Sequence, residues 1–134
     1  MSNTTNATNT TNIPIKKQYD IHDRIYWFIV DVIKLINMLP KTLSNDVITK
    51  QILRSVTSMG ANDQEADGTI TKKDFIHCFT IVRKEGKETN FWLNLTADTN
   101  PQSIKEKTAP IIREGKEIVA IISSIINKTR AKNN

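Results

Sequence analysis

DQEADGTITKKD, residues 63–74, can be read as a metal loop or as the entry to a helix, and the fold turns on which it is. A helix–loop–helix calcium site takes oxygen ligands at loop positions 1, 3 and 5, glycine at 6, an aliphatic residue at 8 and a bidentate carboxylate at 12. Asp63, Glu65, Asp67, Gly68, Ile70 and Asp74 occupy those places in order. Two of them fit poorly. Position 12 holds the shorter Asp74, and Glu65 is one methylene too long for a tight loop; the sequence offers only one such loop, whereas these sites usually work in pairs. The competing reading starts a helix at Thr71, whose hydroxyl caps it while Asp74 reaches back from the third helical position.

Both flanks of this stretch carry helical periodicity. In YDIHDRIYWFIVDVIKLINMLP, residues 19–40, Ile21, Ile25, Phe28, Val32, Leu35 and Leu39 recur at four- and three-residue steps and share one face. Tyr26, Ile29, Ile33 and Ile36 lie beside them, so the apolar face is wider than one neighbouring helix covers. Pro40 stops the run, which predicts a helix over 20–39. Ser44 is the expected N-cap of a second helix, with Asp46 in the first turn and Val47 or Ile48, Ile52, Ser55, Val56 and Met59 on its buried side. Gly60 is unfavourable within that helix by about 1 kcal/mol relative to alanine, so it either ends the helix or serves a close contact.

Beyond Thr71, Phe75, Phe79, Val82, Gly86, Thr89 and Leu93 keep the same spacing, with Trp92 and Leu95 adjoining. Asn100 and Pro101 are the expected N-cap and first residue of a fourth helix. Along it run Ile104, Ile111, Ile112, Gly115, Ile118, Val119, Ile122, Ile125 and Ile126, and Pro110 predicts a kink or a fresh start near 109. The expected fold class is all-α: an antiparallel four-helix bundle over residues 19–131.

Composition bounds the function. The 134 residues suffice for one domain, and the net charge of +5 favours polyanionic partners. The single cysteine, Cys78, forms no internal disulfide and suggests a reducing compartment. No run approaches the ~18 apolar residues of a membrane span, and the polar start is no signal peptide. A soluble, cytoplasmic protein is expected. Residues 1–18, rich in Asn and Thr, bury too little apolar surface to order, so a disordered tail is expected there.

The runs KQILRSVTSMGANDQEADG and KKDFIHCFTIVRKEGKETNFWL resemble the bacterial four-helix-bundle family known as 23S rRNA intervening-sequence proteins. The resemblance rests on Leu39, Pro40 and Lys41, then Leu53 through Ala66, then Lys72 through Leu93, and extends over about residues 19–130. It implies four-helix bundles assembled into homopentamers, without enzymatic activity, and a related accessory protein of diversity-generating retroelements that binds nucleic acid and a reverse transcriptase. It also implies that Gly60, Ala61, Asn62, Glu65 and Ala66 are structural members of the second helix, which Gly68 then ends. Calcium binding at residues 63–74 is accordingly a distant alternative.

No catalytic constellation is visible. His22 and His77 have no partner at ligand spacing, Cys78 beside Phe79 reads as a small buried thiol, and no nucleophilic triad, glycine-rich phosphate loop or zinc spacing occurs. We expect no enzyme, no cofactor and no metal. The candidate nucleic-acid contacts are Lys50 and Arg54 on the second helix, Lys72 and Lys73 at the start of the third, and Arg83, Lys84 and Lys87 along it. Each is equally a residue on a solvated helix face, many of them near Glu85, Glu88, Glu114 or Glu117. The expected partners are a second copy of the chain, as a pentamer by the resemblance, and nucleic acid, with RNA favoured. The alternative is a scaffold for another protein, for example a reverse-transcriptase-like one.

Overall fold

The computed structural model describes residues 20–132; the expected disordered tail at 1–18 lies outside the described residues. Four helices follow one another: α1 (Ile21–Ile36), α2 (Leu43–Asp67), α3 (Lys72–Thr99) and α4 (Gln102–Ala131), with no strand among the described residues. α1 packs on α2, α2 on α3, α3 on α4, and α4 back on α1, which closes a square. The contacts step in opposite senses along each pair, as in Ser55–Thr89 and Ser58–Glu85, so neighbours are antiparallel. The expected four-helix bundle is the fold.

Local chemistry sets the helix ends. Asp20 caps α1 by accepting the Asp23 N–H, and Met38 N–H to Leu35 O at 2.9 Å tightens the exit three residues before the expected end. The cap of α2 is Thr42 rather than Ser44: Thr42 is extended, and its hydroxyl accepts the Asn45 N–H at 3.1 Å. Ser44 already lies in the first turn. Gly60 does not end α2, which runs on to Asp67 and closes at Gly68 through Gly68 N–H to Glu65 O and Thr69 N–H to Ala66 O. Gly68 has φ −94°, so the left-handed conformation of many helix-ending glycines is not used here. Thr71 caps α3 by accepting the Asp74 N–H at 3.1 Å, as expected.

One expectation at α4 fails for an identifiable reason. Asn100 is not its cap, because the Asn100 amide is engaged with Asn45 in a reciprocal pair, 2.8 Å and 3.1 Å, that ties the α3–α4 turn to the start of α2. The helix instead opens from Pro101, whose carbonyl accepts the Ile104 and Lys105 N–H groups. Pro110 causes no fresh start: α4 passes through it unbroken.

The core is assembled from the predicted stripes. Phe28, Phe79, Ile25, Leu35, Ile52, Met59, Leu93, Ile118, Ile122 and Ile126 are fully buried, each contributing on the order of 1.5–3 kcal/mol of transfer free energy. Ile48, not Val47, takes the inward position on α2. The α2–α3 contact includes a buried hydroxyl pair, Ser55 Oγ and Thr89 Oγ1 at 2.7 Å, with Thr89 also donating to Glu85 O. Where α3 crosses α4, a methyl group on Gly86 would meet Val119 at 3.0 Å and Met59 at 3.2 Å. One on Gly115 would clash with Asn90 Oδ1 and meet Phe28 at 3.0 Å.

The glycines differ in what surrounds them, and this gives a test. At Gly60 the added methyl meets only the Ile29 Cδ1 tip at 2.7 Å, on a half-buried side chain free to turn outward. Gly60→Ala therefore exchanges a small repacking for about 1 kcal/mol of helix propensity and should leave the urea midpoint nearly unchanged. Gly115→Ala must displace a buried amide and a buried ring, and should destabilise by about 1–3 kcal/mol despite the same gain in propensity. Equal midpoints for the two variants would contradict this packing.

Candidate nucleic-acid interface

Helix periodicity sorts the charges of α3 and α4 onto different flanks. On α3, Glu85 and Glu88 turn toward α2, where Arg54 bonds both carboxylates. On α4, Glu114 and Glu117 turn toward α1, where the Arg24 guanidinium bonds each at 2.7 Å. Arg24 is held in its charged form by Glu114 first and Glu117 second, and its pKa is raised. The side of α3 next to α4 is left with Lys73, Lys84 and Lys87, and the adjoining side of α4 carries Lys116 and Arg130. No ion-pair partner lies within 4.0 Å of any of these five among the described residues. Asp98, farther along the same flank, pairs with Lys105 at 3.5 Å.

The candidate residues thus separate into three groups. Lys73, Lys84 and Lys87 are exposed on the α3/α4 flank, with the half-buried Arg83 at its inner margin. Arg54 is committed to Glu85 and Glu88, and Lys72 donates to the Lys132 carbonyl at 2.6 Å, which holds the end of α4 beside the start of α3. Lys50 is exposed on α2, one turn before Arg54 and apart from the α3/α4 flank. Periodicity within α3 groups Lys73, Lys84 and Lys87, and the packing of α4 on α3 adds Lys116 and Arg130, which spacing along one helix does not reveal. The same periodicity shows that the exposed Phe91 stands on the same line as Lys73, five turns along.

The opposite side of the bundle, formed by α1 and α2, carries apolar residues along the seam of the two helices, with exposed charges such as Asp31, Lys34 and Lys50 elsewhere on it. Tyr26 is 60 % exposed, Ile29 and Ile33 are half-buried, and Leu53 is exposed beside them. A groove of about 460 Å³ runs between the helices over Gly60 and Ala61. Of the residues the resemblance marks as structural, Ala66 is buried and Asn62 donates to Ser58 O at 3.0 Å, while Ala61 and Glu65 face outward.

The calcium reading does not survive the geometry. Residues 63–67 are the last turns of α2, not a loop, and Asp63 is 2 % exposed with Oδ1 2.7 Å from His22 Nδ1. Among the described residues no group of three or more His, Cys, Asp or Glu side chains is placed to hold a metal ion. Burial pushes the Asp63 carboxyl above the usual range, and His22 opposes that rise. Cys78 is buried, and burial pushes its thiol up. No helix among the described residues is long and apolar enough to cross a membrane.

What these observations define is an all-helical bundle protein whose outer surface is divided between a cationic flank and an apolar one. The chain belongs to the 23S rRNA-intervening sequence protein family, whose model matches residues 17–124. It is similar to the crystal structure of a protein of unknown function from the S23 ribosomal protein family of Bacteroides thetaiotaomicron. The two are 36% identical, with a TM-score of 0.72 over 80% of this chain and 98% of that one. No curated protein matches the chain.

Two buried or bridged carboxylates should respond to pH with opposite signs. Asp63 holds its proton to higher pH in the folded chain, so stability falls as the pH rises from the ordinary carboxylate value near ~4 through the raised one. Glu88 is held below the usual range by the Trp92 indole N–H and then by Arg54, so its contribution is present above ~4.3 and is lost as the pH falls through the lowered value. In urea titrations at a series of pH values, Asp63→Asn should gain on the wild type as the pH rises above ~4. Glu88→Gln should be less stable at neutral pH and converge on the wild type in acid. Parallel pH profiles for all three proteins would contradict both assignments.

Proposed function

We propose that this protein is a non-enzymatic, self-associating nucleic-acid-binding protein that grips phosphates through the α3/α4 flank. The observation that carries the reading is the sorting of charge: Glu85, Glu88, Glu114 and Glu117 are drawn to Arg54 and Arg24, and cations without an ion-pair partner among the described residues remain together on the shared outer side. Contacts of this kind go to the backbone, so binding depends on salt more than on sequence. The family's description, which ties it to the 23S rRNA, favours RNA over DNA as ligand. Lys73, Lys84 and Lys87 are the main contacts, with Arg83 in support. Arg54, Lys72 and Lys50 are peripheral.

Self-association is assigned to the α1/α2 flank, where Tyr26, Ile29, Ile33 and Leu53 leave an apolar strip against water. Because this strip lies across the bundle from the lysines, copies joined through it would present their cationic flanks outward, and a ring of five would multiply the +5 of one chain. The groove beside Tyr26 supports a second reading, in which another protein occupies the same strip and the bundle acts as its scaffold. A pull-down from nuclease-treated lysate separates the two, since an RNA-mediated partner disappears and a direct one stays.

Fluorescence anisotropy with a ~20-nucleotide RNA should show affinity falling steeply with salt. Lys84→Glu combined with Lys87→Glu should lower the log–log slope by about two. Binding that is absent at low salt, or indifferent to salt, would overturn the proposal. By light scattering the protein should run at a multiple of 15.2 kDa, and Tyr26→Glu with Ile33→Glu should return it to that mass. A wild-type monomer would remove the self-association.

A further inference from the structure

We infer that Phe91 is a stacking platform for an unpaired base, so that the α3/α4 flank takes single-stranded or looped nucleic acid in preference to a continuous duplex. The inference rests on the nucleic-acid reading above and goes beyond it in naming the form of ligand.

Phe91 is 58 % exposed, while Leu93, two residues on, is fully buried. Single exposed apolar residues are ordinary; the position of this one is not. Eighteen residues after Lys73, seven after Lys84 and four after Lys87, it returns to the same line of the helix as all three. The line from Lys73 to Phe91 is roughly 27 Å long at helical rise. It therefore offers cations to a backbone and then one aromatic face at its end.

Phe91 is also braced from behind. Its ring meets the Trp92 indole at 5.0 Å between centroids and an angle of 72°, edge against face. The indole N–H donates to Glu88 Oε2 at 3.1 Å, and Glu88 is bonded in turn by Arg54 of α2. This chain fixes the indole and so limits where the Phe91 ring can go. It also neutralises Glu88, the carboxylate nearest the aromatic pair in sequence, which would otherwise repel a phosphate.

An aromatic face can accept only a base whose own face is uncovered. Bases inside a duplex are stacked on both sides, whereas those in loops, bulges and single strands are free to splay onto a side chain. Stacking of this kind tolerates any base, so the site would show little sequence preference. The cationic line alone would hold either form of nucleic acid; Phe91 is what distinguishes them.

The test compares wild type, Phe91→Ala, Phe91→Trp and the Lys84→Glu/Lys87→Glu double variant on two probes of equal charge, a single-stranded oligouridylate and a fully paired RNA duplex. Phe91→Ala should weaken single-strand binding by about fivefold or more while leaving duplex affinity and the salt slope unchanged. Phe91→Trp should retain the single-strand affinity, and the double lysine variant should weaken both probes. Equal single-strand affinity for wild type and Phe91→Ala, with the lysine variant still impaired, overturns the stacking role and leaves the nucleic-acid reading intact. No binding of either probe to the wild type removes both. A change of oligomeric mass in Phe91→Ala, read by light scattering, overturns the inference by assigning Phe91 to a contact between copies.

Discussion

The close approach of α3 to its two neighbours is the constraint from which the rest of the bundle follows. Gly86 admits Met59 from α2 and Val119 from α4, and Gly115 admits Asn90 and Phe28. The Ser55–Thr89 hydroxyl pair seals the same face with a hydrogen bond, and both hydroxyls are satisfied. Asn90 Oδ1 is the exception: it is buried and has no partner among the described residues. A buried, unpaired amide oxygen is unfavourable, and it persists here because the backbone of α4 comes too near for any side chain at position 115. Close backbone approach has taken precedence over full hydrogen bonding.

That geometry makes α3 the central strut and α1 the least integrated helix. α2 and α4 pack extensively on α3, while α1 makes smaller contacts with both of them. α1 is held partly by polar groups instead: Arg24 reaches Glu114 and Glu117 on α4, and His22 meets Asp63 on α2. These ties have a second effect. By drawing carboxylates inward toward arginine, they leave the surfaces on either side of the bundle unlike each other. The same few ion pairs thus help to dock α1 and shape the charge of the surface, while the apolar core carries most of the stability.

The architecture was legible in the sequence because four-and-three spacing of Ile, Val and Phe admits one secondary structure. The Thr71 cap was equally plain, since a hydroxyl followed three residues later by a carboxylate has few other uses. The misreadings came where two residues of similar chemistry competed. Thr42 and Ser44 are both good caps, and only the extended backbone after Pro40 decides between them. Asn100 before Pro101 looked like a cap, but a partner 55 residues away claims its amide, and local spacing carries no trace of that. Among the candidate cations, the sequence put Arg54 beside Lys50 without showing that two glutamates on another helix take its charge. Phe91 stands next to Trp92 in the chain, and spacing alone does not show that one of the two neighbours is exposed while the other packs against the core.

The Asn45–Asn100 pair also sets where the chain can change length. It joins the α1–α2 turn to the α3–α4 turn at one end of the bundle, so a residue added to either connection would pull two helical hairpins out of step. At the other end Lys72 ties α3 to the Lys132 carbonyl, but among the described residues no side-chain pair joins two turns: between α2 and α3 the chain passes through Gly68 to an Ile70 that is 98 % exposed. Over generations, insertions and fused segments should accumulate at that open turn and be purged from the clasped one. A bundle with one fixed end and one permissive end gives evolution a place to add new parts without disturbing the helices that carry the surface.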